Sequence, residues 1–185
     1  MKNFKKILAL GLATTAVVSA MSITALAYYD DVAYASLPTI SEVDTSKASR
    51  ETPVTYIDEA TGAIVTIYDP NITVEFASVS SSVGSVVPYG FIYVPYASSY
   101  RFGGTTKPFK ASYDGKVNFS LTTFTHNKFN FSLNEEGVTG SPLAVVKNCP
   151  INTPAVLNGL KEGTSYEFRV SSYEGDGNAT YIATM

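Results

Sequence analysis

The sequence predicts an all-β protein, a two-layer sandwich of antiparallel strands, and three observations support that prediction. Apolar and polar residues alternate with a period of two in several short segments, as expected of strands with one buried face. The chain is rich in residues that favour strands, with 13 Tyr and 10 Phe among 185 residues. No segment after residue 27 shows the period of an amphipathic helix. We expect about seven evenly spaced strands in residues 86–185.

Residues 1–27 have the composition of a secretory signal peptide. Three lysines precede an apolar stretch at 7–20, and the segment ends in Ala-Leu-Ala, which predicts cleavage between Ala27 and Tyr28. An uncleaved anchor is the alternative, because residues 7–27 are about long enough to span a bilayer. Cleavage predicts a secreted, extracellular protein that meets the membrane only through the signal peptide before it is removed.

Two further segments precede the sandwich domain. Residues 28–52 end in a polar stretch without periodicity, which predicts a flexible arm. Residues 53–80 predict a β-hairpin, with turn residues at 58–62, followed by an extra strand. Two strands alone are marginal in water. This piece therefore either extends the edge of the sandwich or is a detachable pro-segment.

The strands of the sandwich domain are predicted from alternation and from the turn residues between them. The first strand of the sandwich proper is expected at 100–112, with an interruption at Gly103-Gly104, and further strands are expected at 116–123, 128–134, 142–147, 155–160, 165–173 and 178–184. Residues 89–100 form an edge strand bounded by prolines if their tyrosines pack in the core. Residues 148–154 are predicted to be a loop. Residues 125–128 and 174–178 are predicted to be hairpin turns, the second because it contains Asp-Gly and Gly-Asn pairs.

The stretch before the last two strands predicts a sharp corner. Leu160 caps the core, Gly163 makes the bend, and the Tyr166 ring packs while its hydroxyl bonds back to the chain. This pattern resembles the tyrosine corner of immunoglobulin-like sandwiches. The C-terminal half as a whole resembles fibronectin type III domains and bacterial pre-peptidase C-terminal domains, although the chain has no Trp. The resemblance implies an Ig-like or jelly-roll-like antiparallel sandwich and no particular function.

Composition excludes several classes of protein. The single cysteine, Cys149, excludes an internal disulfide and a multi-cysteine metal site, and we interpret it as a small buried apolar residue. The formal net charge is −3, and without the three leader lysines 10 basic residues face 16 acidic ones, a charge of about −6. An acidic surface argues against nucleic-acid binding, which needs clustered Lys and Arg.

No common catalytic motif occurs in the sequence, so we expect a non-catalytic protein without a cofactor. Phosphate-binding loops, dinucleotide fingerprints and metalloprotease or hydrolase signatures are all absent. The only histidine, His126, is predicted to lie exposed in a turn. Neighbouring carboxylates such as Glu135 and Glu136 lie in turns and do not suit the paired acids of a glycosidase.

Calcium is the one metal that the sequence allows, and only weakly. Glu174, Asp176 and Asn178 stand at every second position of a turn, although a plain turn also explains them. The resemblance to pre-peptidase C-terminal domains implies a calcium-binding Asp at the position that Asn130 occupies here. We therefore predict no metal site.

The most suggestive feature for function is a tyrosine-rich stretch. Tyr89, Tyr93, Tyr96 and Tyr100 lie close together with Phe91. Tyrosines on a rigid face stack on sugar rings or pack against a partner chain. The alternative is that they fill the core beside an edge strand.

These observations predict a secreted, non-catalytic β-sandwich that binds a glycan or a protein at a cell surface. A self-assembling structural protein of the extracellular matrix is the alternative, and an enzyme of unrecognised class is a third hypothesis.

Overall fold

The computed structural model describes residues 37–77, 89–97, 103–140 and 142–185. The predicted signal peptide, its cleavage site at Ala27 and Tyr28, and Tyr100 lie outside these residues. The described chain contains two short 3-10 helices, Ile40–Glu42 and Thr45–Lys47. Its twelve strands are β1 Val54–Ile57, β2 Ile64–Ile67, β3 Thr73–Phe76, β4 Gly90–Val94, β5 Gly104–Thr105, β6 Phe109–Lys110, β7 Val117–Thr123, β8 Lys128–Glu135, β9 Ala144–Pro150, β10 Ala155–Asn158, β11 Ser165–Ser171 and β12 Gly177–Thr184.

The strands form two antiparallel sheets. The first sheet has the order β1-β2-β9-β8-β11, and the short strands β5 and β6 both pair with the outer edge of β11. The second sheet has the order β3-β10-β7-β12-β4. The all-β antiparallel sandwich that the sequence predicts is therefore confirmed. Apart from β1–β3 and the two-residue strands, seven strands remain, β4 and β7–β12. In the part of the chain described, no helix is long and apolar enough to cross a membrane.

The core lies between the sheets and is dominated by aromatic rings. Phe119 of the second sheet contacts three rings of the first sheet, with centroid distances of 4.0 Å to Phe168, 5.1 Å to Phe131 and 6.2 Å to Phe129. All four rings are buried. The faces predicted from alternation are confirmed, because their apolar residues point inward. These are Val117, Phe119 and Leu121 in β7, Phe129, Phe131 and Leu133 in β8, and Tyr166, Phe168 and Val170 in β11.

The segment at 53–80 is built into both sheets as far as it is described. The predicted hairpin forms from β1 and β2, and its turn is held by Asp58, whose carboxylate accepts hydrogen bonds from the backbone and hydroxyl of Thr61. Strand β2 then pairs with β9, and β3 pairs with β10 in the other sheet. The Tyr56 hydroxyl donates to the Val74 carbonyl at 3.1 Å, which links the two edge strands β1 and β3. The hairpin thus extends the edge of the sandwich.

The part of the predicted flexible arm that is described, residues 37–52, packs against this hairpin. The Ile57 N–H donates to the Pro38 carbonyl at 2.9 Å, and Thr39 forms a parallel bridge with Ile57. Ala48 is buried and Val43 packs against the core. This differs from the expected arm because the polar side chains serve the two helical turns: Asp44, for example, accepts a hydrogen bond from the Ser46 N–H.

Two turns predicted as hairpins are instead crossovers between the sheets. The connection at 124–127 leads from β7 in the second sheet to β8 in the first. The connection at 172–176 leads from β11 in the first sheet to β12 in the second. Asp-Gly and Gly-Asn pairs favour a tight turn. However, β11 joins the first sheet because it pairs with β8, and β12 joins the second sheet because it pairs with β7.

Strand β9 continues to Pro150, so the loop predicted at 148–154 begins later than expected. Asn148 adopts a positive φ of 56°, and the β8–β9 register shifts between Phe129 and Phe131. The Asn130 side-chain oxygen accepts a hydrogen bond from the Asn148 N–H at 2.9 Å. This bulge interrupts the alternation, which is why the pattern stopped predicting a strand at residue 147.

The strand predicted at 100–112 is two short strands in its described part. Strand β5 pairs with Arg169 and Val170, and β6 pairs with Ser165 and Tyr166, so both lie along β11. Between them the Thr106 hydroxyl accepts a hydrogen bond from the Phe168 N–H at 3.0 Å. Pro108, which has no N–H to donate, lies between the two strands and interrupts the ladder.

The predicted corner before β11 forms as expected from the residues. The Tyr166 ring is buried, and its hydroxyl accepts a hydrogen bond from the Lys161 N–H at 3.0 Å. Gly163 bends the chain with a positive φ of 74°. The corner places β11 in the first sheet directly after β10 of the second.

Candidate functional site

Three neighbouring exposed aromatic side chains lie on and immediately before β4, one of the two edge strands of the second sheet. Tyr89, Phe91 and Tyr93 point outward, with exposed fractions of 50%, 85% and 53%. Ile92 and Val94, between and after them, are buried. We call Tyr89, Phe91 and Tyr93 the aromatic strip. The alternate residues of the same strand, Ile92 and Val94, pack in the core and hold the strand in place. The strip is therefore a rigid surface.

The neighbouring strand β12 determines what surrounds the strip. In the register of β4 and β12, Phe91 lies opposite Thr180 and Tyr93 lies opposite Asn178. Gly90 lies opposite Tyr181, whose phenol ring would be 2.8–2.9 Å from a Cβ at Gly90. The absence of a side chain at Gly90 therefore lets the buried Tyr181 ring pass beneath β4, where it packs 5.9 Å from the Tyr89 ring.

Asp176 holds Tyr93 from the connection between β11 and β12. The Tyr93 hydroxyl donates a hydrogen bond to the Asp176 carboxylate. This hydrogen bond raises the pKa of Tyr93, since the neutral phenol is the donor, and partial burial and the carboxylate charge act in the same direction. The bond limits rotation of the Tyr93 ring and places a carboxylate at one end of the strip.

The adjacent connection at 124–127 is tied to the same region through Glu174. The Glu174 carboxylate accepts a hydrogen bond from the Asn127 N–H at 3.2 Å and lies 3.7 Å from Nδ1 of His126. The His126 ring packs edge-on against Phe124, at 5.0 Å between centroids. A Cβ at Gly175 would lie 2.8 Å from Nε2 of His126. His126 is thus half-buried between two connections rather than exposed, because its ring fills the space that Gly175 leaves.

The three weak calcium candidates are not brought together. Glu174 faces Asn127 and His126, Asp176 bonds Tyr93, and Asn178 lies on the outward side of β12. Among the residues described, no group of three His, Cys, Asp or Glu could hold a metal ion. Asn130, at the position where the resemblance implies a calcium ligand, is buried and bonds the Asn148 backbone instead.

The remaining tyrosines of the sequence hypothesis do not join the strip. Tyr96 is 59% exposed but lies beyond the end of β4, where it forms a parallel bridge with Ser172. Tyr100 is outside the described residues. The strip instead includes Phe91, whose outward position follows from the alternation of β4. The sequence indicated Asp176 as a turn residue and a weak calcium candidate but not as a partner of Tyr93, because that contact joins positions 83 residues apart.

The single cysteine and the single histidine are both packed against other side chains. Cys149 is fully buried, and burial raises the pKa of its thiol, with the charge of Asp58 adding to the effect. His126 contacts Glu174 and Phe124 rather than a nucleophile. A concave region of about 650 Å³ lies at the opposite end of the sandwich, beside the tyrosine corner, and its rim includes Tyr113, Asp114 and Lys161. Asp114 there accepts hydrogen bonds from Ser112 and Lys116 of its own turn, which hold its pKa below the ordinary value.

Comparison of the chain with known protein families, with curated proteins and with solved structures finds no match.

Proposed function

We propose that this protein is a secreted, non-catalytic, Ig-like β-sandwich module that binds a glycan at a cell surface through the aromatic strip. The observation that supports the proposal is the outward display of Tyr89, Phe91 and Tyr93 on one rigid edge strand. The three rings are neighbours, with Phe91 85% exposed between two half-exposed tyrosines, and contiguous exposed apolar surface is a mark of interaction sites, whereas a single exposed ring such as Tyr113 is not. The signal-peptide composition of residues 1–27 supports secretion.

The surroundings of the strip favour a sugar over an apolar protein surface. Thr180 and Asn178 lie opposite Phe91 and Tyr93, and Asp176 bonds the Tyr93 hydroxyl. The rings offer flat π faces to the C–H groups of a pyranose, while hydroxyl, amide and carboxylate groups meet its hydroxyls. A protein partner would favour an apolar core surrounded by a polar rim, whereas here polar groups lie beside two of the three rings, Phe91 and Tyr93.

Binding rather than catalysis is supported by the state of the nucleophile and base candidates. The Cys149 thiol is buried with a raised pKa, so little of it is thiolate at neutral pH. His126 is held between Phe124, Gly175 and Glu174. Neither group faces the strip.

The test is binding to a panel of polysaccharides by affinity electrophoresis, followed by titration of the ligand that retards the protein. Phe91→Ala should weaken binding about tenfold or more, because truncating a central aromatic contact typically costs 1–2 kcal/mol or more. Tyr113→Ala is the matched control, since Tyr113 is 87% exposed but lies at the other end of the sandwich. Equal binding by both variants, or no retardation by any polysaccharide, contradicts the proposal.

The same variants distinguish the self-assembly alternative. If the purified chain forms oligomers on size-exclusion chromatography and Phe91→Ala makes it monomeric, the strip is an interface between copies and the glycan proposal is wrong. A monomer that binds polysaccharide and loses binding with Phe91→Ala is the expected result.

A further inference from the structure

The aromatic strip is one margin of a larger flat surface, the outward face of the second sheet. The outward positions of β12, β7 and β10 carry mainly hydroxyl and amide side chains. Together with Thr122 and Thr123, whose hydroxyls bond Thr180, we call them the polar face: Asn118, Ser120, Asn158, Asn178, Thr180 and Thr184. Ser120 and Thr180 are buried between their neighbours, and the partly exposed Val156 and Ile182 share this side. Their orientation follows from the register, because the alternate positions Ala179, Tyr181, Phe119, Leu121 and Leu157 are buried in the core.

The polar face is continuous with the strip across the strands. Thr123 and Thr180 are paired positions of β7 and β12, and Thr180 in turn lies opposite Phe91. The Thr123 hydroxyl donates to the Thr180 hydroxyl at 2.6 Å, and the Thr122 hydroxyl donates to the Thr180 carbonyl at 3.3 Å. These bonds fix the hydroxyls in place before any ligand arrives, which lowers the entropy lost on binding.

A second cross-strand bond continues the same pattern further along β7. The Asn118 amide donates to the Thr184 hydroxyl at 3.2 Å, and the Asn158 amide lies 3.4 Å from the Thr73 hydroxyl of β3. Neighbouring strands are about 4.8 Å apart, so the distance from β4 to β7 is about 10 Å. A ligand lying across the strands could therefore touch aromatic rings at one end and fixed polar groups at the other.

The charge of this surface is the feature that specifies its ligand. The outward positions of β4, β12, β7 and β10 carry no Lys, Arg, Asp or Glu. Carboxylates stand at the two margins, Asp176 beside Tyr93 and Glu75 on the edge strand β3. An anionic polymer lying across β4, β12 and β7 would meet the Asp176 carboxylate and no cation on these strands, since Lys116 precedes β7, whereas a polymer of uncharged sugars would meet matched hydrogen-bonding groups.

Resting on the proposed function, we infer that the ligand is an uncharged polysaccharide whose chain lies across β4, β12 and β7, stacking on the strip and bonding the polar face. Single sugars reach only the strip, and longer chains reach both. Affinity therefore rises with chain length until the ligand spans β7. Carboxylated chains of the same backbone bind more weakly.

The first experiment separates the polar face from the strip. Glucose and N-acetylglucosamine, and the di- to hexasaccharides of β-linked glucose, α-linked glucose and N-acetylglucosamine, are titrated by calorimetry against the unmodified chain, Thr122→Val and Thr66→Val. Thr66→Val is the matched control, because Thr66 is also a partly buried strand threonine with one hydroxyl bond, to Thr55, but lies in the first sheet. We expect affinity to increase with length and Thr122→Val to weaken the longest bound oligosaccharide about threefold or more while leaving the shortest unchanged. Thr66→Val should change neither.

The second experiment tests charge with a matched pair of polymers. Hydroxyethylcellulose and carboxymethylcellulose share a backbone and differ in carboxylate content, and we expect the neutral polymer to bind at least about tenfold more tightly at low salt. This inference is wrong if the carboxylated polymer binds more tightly. It is also wrong if affinity does not depend on oligosaccharide length and Thr122→Val does not change it. In both cases the proposed function stands. If no polysaccharide binds, the proposed function is wrong, and this inference, which depends on it, is wrong as well.

Discussion

The ring of Phe119 stacks on the ring of Phe168 with 4.0 Å between centroids and 19° between planes. Phe119 belongs to β7 in the second sheet and Phe168 to β11 in the first, so this pair joins the two layers at the centre of the core. Both side chains are fully buried. The rigidity of the second sheet, and with it the fixed display of the aromatic strip, depends on this contact.

Phe168→Ala should therefore lower the free energy of unfolding by about 3–5 kcal/mol, the cost of emptying an aromatic site in a packed core. Urea denaturation followed by circular dichroism measures the change. Phe91→Ala is the control and should stay within about 0.5 kcal/mol of the unmodified protein, because its ring is solvent-exposed. A loss below about 1 kcal/mol for Phe168→Ala would mean that the sheets do not pack as described.

Gly159 and Gly163 flank the corner and both adopt positive φ, 87° and 74°, but their surroundings differ. A Cβ at Gly159 would lie 1.8 Å from the Asn71 carbonyl oxygen, whereas nothing lies within 4 Å of a Cβ at Gly163. Gly163→Ala should cost about 1 kcal/mol, from backbone strain alone. Gly159→Ala must also displace the backbone at Asn71 and should cost several times more. Thermal unfolding of the two variants measures both losses of stability. Equal losses would show that a Cβ at Gly159 does not clash with the Asn71 backbone.

Because of Tyr56, the free energy of unfolding should fall as the pH rises into the alkaline range. Burial, helped by the negative charges of Asp58 and Glu75, raises the pKa of Tyr56 well above the ordinary value near 10. The folded state thus holds the phenolic proton that the unfolded chain releases. The stabilisation is complete below about pH 10 and is lost as the pH rises through the folded-state pKa.

Tyr56→Phe should lose about 1 kcal/mol at neutral pH, because the Val74 carbonyl loses its hydroxyl donor. Its urea midpoint should fall less steeply than that of the unmodified protein between about pH 9 and pH 11. Tyr113→Phe, at an exposed hydroxyl, should leave both the midpoint and its pH dependence unchanged. Parallel alkaline curves for Tyr56→Phe and the unmodified protein would show that Tyr56 is solvated.

The bond between Tyr93 and Asp176 should matter for ligand binding rather than for stability. Tyr93→Phe keeps the ring but frees it from Asp176, and we expect a loss of about two- to fivefold in affinity for the polysaccharide that binds. Asp176→Ala removes the acceptor and tests the same bond from the other side. If the two residues act as one unit, the double variant loses little more than either single variant; fully additive losses would show that they act independently.

The sequence predicted the parts of the fold that depend on local patterning. Alternation placed Val117, Phe119 and Leu121 on one buried face, and the spacing from Leu160 to Tyr166 indicated the corner, because both features involve residues close in the chain. It did not predict that β11 and β12 belong to different sheets, since sheet membership is set by pairing with β8 and β7 far along the chain. The bulge at Asn148 was missed for a related reason, because the Asn130 side chain that supports it comes from another strand.

For the candidate site, too, the sequence predicts what depends on neighbouring residues and not what depends on strand pairing. Alternation around Ile92 and Val94 indicates that Tyr89, Phe91 and Tyr93 share a face, whereas the sequence cannot show that β4 is an edge strand. The contact of Asp176 with Tyr93 depends on the pairing of β4 with β12. The clustered tyrosines in the sequence left open whether they are exposed or fill the core. The structure exposes Tyr89 and Tyr93 beside Phe91, whereas Tyr96 lies beyond β4 and bridges Ser172.

The most direct test of glycan binding on this surface is the change in backbone amide chemical shifts when the labelled protein is titrated with the oligosaccharide that binds. We predict that the shifts cluster on β4 and β12, around Phe91, Tyr93, Asn178 and Thr180, and extend to Thr122 on β7. Shifts confined to the concave end near Tyr113 and Lys161, or an unchanged spectrum at saturating oligosaccharide, would contradict the account.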